Sequence, residues 1–177
     1  MESRGYLGID ESNHGRFPEI FVAVYSEARS DIFRTEGLHR SRNGTLKVHE
    51  VLKGRPFKHI LIPQEYKHIL GENYTKKIKT IVLAEFISHF PNLGKVLVDG
   101  EISESIISNL EKILGNDMCN IMCEAHADSR YELVNKADIV AHLLHQHYNH
   151  KECPNYEKYV EHLLTPRIEH YLPLLDD

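Results

Sequence analysis

The chain is short of cysteine, with three in 177 residues. So small and odd a number provides no disulfide framework. Cys119 and Cys123 fall in a stretch that reads as a strand, where positions four apart lie roughly 13 Å from each other and cannot chelate one ion. Long apolar runs are also missing: no stretch approaches the length that crosses a bilayer, and none follows Met1-Glu2-Ser3-Arg4-Gly5 as a leader would require. The expectation is a cytoplasmic protein with no membrane association. With no Gly/Ser linker, low-complexity block or repeat to divide it, the chain is expected to form a single domain over residues 1–177, large enough for a sizeable core. Positive charge is scarce too. With 21 Lys and Arg against 26 Asp and Glu, the net charge of −5 argues against a protein wrapped broadly around nucleic acid and leaves room for a local footprint.

What is present is patterned. Tyr6-Leu7-Gly8-Ile9-Asp10 is a short apolar run ending in an acid, and Ile20 to Tyr25 is β-branched and aromatic, with Asn13-His14-Gly15 and Pro18 marking a turn between them. This reads as a β-hairpin. His59 to Pro63 is a third strand, and a short helix is expected near Gln64. Ile78, Ile81, Val82 and Phe86 recur at the helical period between Tyr74 and Phe90, where Pro91 stops them. Lys95 to Asp99 repeats the form of the first strand. A helical stripe of Ile106, Leu110, Ile113 and Leu114 follows, closed by Gly115. Asn120 to Ala125 reads as another strand, with helices from about Tyr131 to His147 and Tyr156 to Leu164. The order βββαβαβα implies an α/β protein with a mixed five-stranded sheet, its later strands parallel and flanked by helices.

Acids gather at the strand ends. In open α/β sheets ligands bind beyond the carboxyl ends of parallel strands, where Asp10-Glu11, Asp99-Gly100 and Ala127-Asp128 fall. Such charges repel unless a cation neutralises them or their pKa values rise, and hard oxygen ligands favour Mg²⁺ or Mn²⁺. Any one of these acids alone is more often a turn former or helix cap. Asp138 sits beside the apolar stripe of its helix, with Val134, Ala137 and Ala141; a metal and a buried ion pair explain it equally well.

Tyr6-Leu7-Gly8-Ile9-Asp10-Glu11-Ser12 resembles the opening of the type 2 ribonucleases H, in which an adjacent Asp and Glu end the first strand. Glu124 to Val134, continuing through Ala137-Asp138-Ile139-Val140-Ala141, is similar to the family's last acidic motif and following helix, and Val98-Asp99-Gly100 falls between them. The resemblance implies an RNase H-like fold and a nuclease that hydrolyses phosphodiester bonds in RNA or an RNA/DNA hybrid by two metals. Asp10, Glu11, Asp99 and Asp128 would then be catalytic metal ligands, with Asp138 adding or replacing one. Where the family has a glycine-arginine-glycine loop that senses the ribose 2′-hydroxyl, this chain has Asn13-His14-Gly15-Arg16, the expected substrate-binding segment. Its Asp-Ser-Lys segment and late tyrosine motif are not recognisable. The alternative is a catalytically silent module that kept the fold and binds nucleic acid or protein.

Two clusters complete the reading. Arg34, Arg40, Arg42, Lys47, Lys53, Arg55 and Lys58 outnumber Asp31, Glu36 and Glu50 over one polar stretch. This is either a phosphate-contacting surface or, the favoured reading, a solvated loop. His142, His145, His147 and His150 with Cys153 have zinc-like spacing, but histidines near a helix C-terminus are commonly surface residues favoured by the macrodipole. His14 could assist proton transfer, although a turn residue is its commoner role.

Overall fold

A computed structural model describes residues 4–12, 16–33, 47–149 and 156–175. Strands β1 (Gly5–Ser12) and β2 (Glu19–Ser26) form the expected hairpin, and β3 (Phe57–Ile62) pairs antiparallel with β2. Strands β4 (Leu93–Asp99) and β5 (Asn120–Glu124) add in parallel on the other side of β1, giving one mixed sheet of order β3-β2-β1-β4-β5.

Helices cover both faces, which explains why β2 is apolar at successive positions from Ile20 to Val24. On one face Leu7, Ile9, Phe21, Ile60, Val96 and Val98 meet α3 (Tyr74–His89) and α4 (Glu104–Leu114). On the other, Ile20, Val22 and Val24 pack against α5 (Glu132–Asn149) through Leu133, Ala137 and Val140. Alternation along each strand therefore assigns every second residue to one helix layer.

Two segments differ from the expectation and one matches it. The polar stretch before β3 holds a five-residue helix, α1 (Val48–Leu52), because Val48, Val51 and Leu52 are buried in the same cluster as α5. The expected short helix near Gln64 is α2 (Glu65–Leu70). The last expected α-helix is instead 3-10 in form, Tyr156–His162, followed by the four-residue α6 (Ile168–Tyr171). Leu163 bridges His59, and the Leu164 N–H donates to the His59 carbonyl, so this segment covers the outer edge of β3. Among the described residues no helix is long and apolar enough to cross a membrane.

Candidate metal centre

β1 and β4 run parallel with Ile9 opposite Val98, so Asp10 and Asp99 are the next residues on neighbouring strands at their carboxyl ends. Ile9 and Val98 belong to the α3–α4 layer. One step out of phase, Asp10 and Asp99 belong to the α5 layer, as does Leu97, which packs with Ala127 and Val134. The Ala127 N–H donates to Asp99 Oδ1 at 2.6 Å, tying the end of β4 to the 3-10 turn Ala127–Ser129 that carries Asp128.

Asp10 is buried, with 8% of its surface exposed, and its Oδ1 accepts the Glu11 N–H at 2.7 Å. Burial pushes its pKa up to about 8 against that hydrogen bond, and the charges of Asp138, Asp99 and Asp128 push in the same direction. The structure thus brings three of the other expected metal ligands, Asp99, Asp128 and Asp138, within electrostatic reach of Asp10. Glu11, by alternation, turns to the opposite layer, where its Oε1 lies 3.7 Å from Nζ of Lys79 on α3. Asp10, Glu11 and Asp99 still border one small cleft together with Lys79.

These residues fit a hard divalent cation. The donors are carboxylate oxygens, and Asp10 holds a proton near neutral pH that a cation would displace. Among the described residues no three His, Cys, Asp or Glu side chains stand together as a metal-holding group.

No protein-family model matches the chain, and no curated protein does. Solved structures do. Ribonuclease HII from Archaeoglobus fulgidus, in its complex with PCNA, superposes with a TM-score of 0.63 at 19% identity, over 93% of this chain and 82% of that one. The fold is RNase H-like. Bst-RNase HIII in complex with Mn²⁺ gives a TM-score of 0.55 at 17% identity over 83% of this chain, which spans 55% of that longer one. Ribonuclease H2 from Pyrococcus horikoshii OT3 gives 0.50 at 14% identity, over 89% of this chain and 85% of that one.

Asn13, His14 and Gly15 lie outside the described residues, as do Arg34, Glu36, Arg40, Arg42, His150 and Cys153. Arg16 is exposed. His145 on α5 has its pKa drawn down by burial first and also by the charges of His142 and Arg16. Within the basic stretch, Arg55 grips Asp31 through Nε at 2.8 Å and a terminal nitrogen at 2.7 Å, and Lys58 Nζ donates to the Glu161 carbonyl. Those two cations serve the fold. His142 contacts Gln146, and His147 packs edge-on against Tyr159.

Two residues near the centre escaped the sequence reading. Lys79 carries no local signal, since its partner Glu11 comes from a distant strand. Glu124, directly opposite Asp99 in register, was visible as a strand-terminal acid, but its oxygens are taken by Arg130 and the Tyr131 hydroxyl, each at 2.9 Å.

Proposed function

We propose that this chain is a divalent-metal-dependent nuclease hydrolysing phosphodiester bonds in RNA or an RNA/DNA hybrid. Asp10, Glu11, Asp99 and Asp128 are its catalytic carboxylates, and Asp138 is a further metal ligand. The observation that carries this reading is a buried Asp10 beside Asp99 at adjacent parallel strand ends, with the charges of Asp138 on α5 and of Asp128 on the 3-10 turn also acting on it. A fold shared with ribonuclease HII, and with a ribonuclease HIII that holds Mn²⁺, supports it.

A bound pair of Mg²⁺ or Mn²⁺ ions would supply an activated water and stabilise the leaving oxygen, with no protein nucleophile. The chain's own part is positioning. The Ala127 N–H fixes one oxygen of Asp99, Lys79 steadies Glu11, and the low exposure of Asp10 would keep its charge poorly screened once a cation had displaced its proton.

The silent-module reading draws on one observation, that no three candidate ligands are already gathered among the described residues. Melting and cleavage separate the two. For the nuclease, millimolar Mn²⁺ raises the melting temperature by several degrees, as mass action requires of a ligand bound only by the folded state. Asp10→Asn abolishes that gain, and Mn²⁺-supported cleavage of RNA or hybrid is lost in Asp99→Asn. Unchanged wild-type melting together with absent cleavage establishes the silent module.

A further inference from the structure

A groove of about 550 Å³ opens beside Glu11 on the α3 layer, between the carboxyl end of β1 and the corner where α2 meets α3. Three lysines border it in a protein of net charge −5: Lys67 of α2, and Lys76 and Lys79 of α3. Its carboxylates are engaged. Glu19 accepts the Tyr74 hydroxyl at 3.0 Å, and Glu11 faces Lys79. Lys67 is exposed and Lys76 half-buried, and among the described residues neither side chain forms an ion pair. The same groove is lined by Phe17, whose ring meets that of Tyr74 edge-on at 6.2 Å. A cationic rim beside the half-buried Phe17 ring, which rests on the buried Tyr74, is a combination that holds single-stranded nucleic acid, phosphates on the lysines and a base on the ring.

We propose that this groove is the track for a single-stranded segment of the substrate, held at its phosphates by Lys67 and Lys76. Lys79, which lies against both the groove and Glu11, marks where the strand passes to the carboxylates. The choice of nucleic acid as ligand rests on the nuclease reading, but strand binding needs no metal and is measured apart from cleavage.

The experiment is fluorescence anisotropy of a labelled single-stranded RNA with the full chain in EDTA, repeated across salt concentrations. Lys67→Ala/Lys76→Ala is compared with Lys95→Ala/Lys112→Ala, whose lysines lie on β4 and α4 and do not line the groove. The groove variant is expected to bind about tenfold more weakly near physiological salt, and its log–log salt slope to be shallower by about 1.4, from roughly 0.7 per phosphate contact on a single strand. Lys67→Arg/Lys76→Arg restores both. Equal affinity and slope in the two alanine pairs, or no binding by the wild type, overturns the proposal. Lysine-dependent binding without Mn²⁺-supported cleavage leaves the groove standing and removes the nuclease; cleavage with lysine-independent binding does the reverse.

Discussion

Gly8 of β1 lies against Leu133 of α5 so closely that a β-carbon on residue 8 would sit 2.4 Å from the Leu133 carbonyl carbon. The neighbour is backbone and cannot rotate away. Gly8→Ala should therefore displace α5 from β1, lowering stability by about 1–3 kcal/mol and weakening the proposed Mn²⁺ binding, because the proposed ligand Asp138 rides on the same helix. Urea midpoints and Mn²⁺ titrations check this; an unchanged midpoint would show that the helix is not seated by this contact.

Lys136 is fully buried on α5, its Nζ 2.7 Å from Glu132 Oε1 and 2.9 Å from the Val51 carbonyl. Lys136→Met leaves Glu132 without its cation and is expected to cost about 3–5 kcal/mol, whereas Lys136→Met/Glu132→Leu costs far less. Chemical denaturation of the two single variants and the double variant decides. Additive losses would mean that the pair does not act as a unit.

His59 has no exposed surface and its Nε2 lies 2.7 Å from the Tyr148 hydroxyl. Burial first, then the charge of His162, draw its pKa from 6.5 down to about 3. The folded state thus prefers the neutral ring, so stability is whole above pH 6.5 and is lost as pH falls toward 3, when only the unfolded chain takes up the proton. The slope from this group is about 1.4 kcal/mol per pH unit. His59→Gln should flatten the acid limb of the stability profile between pH 6 and 4, read from urea midpoints. A parallel limb would place the acid sensitivity elsewhere.

Cleavage at a single ribonucleotide embedded in duplex DNA should be weak or absent. Glycines let a backbone approach the ribose, whereas Asn13 and His14 each bring a side chain into the loop after Glu11. Mn²⁺-supported digestion of matched RNA, DNA, hybrid and single-ribonucleotide duplexes tests this. Efficient cut at the lone ribonucleotide, absent in Asp99→Asn, would show that this loop reads the 2′-hydroxyl after all.

Strand-end acids and the helical stripe of α3 were legible because each is a local pattern. The period of two along β1 was equally available, and it separates Asp10 from Glu11, which fall to opposite layers although adjacent in sequence. Gly8 was legible in principle, since a glycine inside a strand marks a close approach. Lys79, Lys136 and the α1 turn were not, because each depends on a partner far along the chain: Glu11, Val51, and the α5 face that buries Val48. Tyr156 to His162 is 3-10 where an α-helix is expected, a difference of hydrogen-bond pattern that spacing alone does not separate.

The cover over β3 bears on how the chain comes together during synthesis. Lys58 and Glu161 meet across 103 residues, and the His59 carbonyl waits as long for Leu164. A ribosome adding about 5–20 residues each second leaves that strand edge open for several seconds after β3 has emerged. Throughout that interval the edge has unpaired backbone groups of the kind that pair with another chain, and Glu161 to Leu164 are the residues whose arrival closes it.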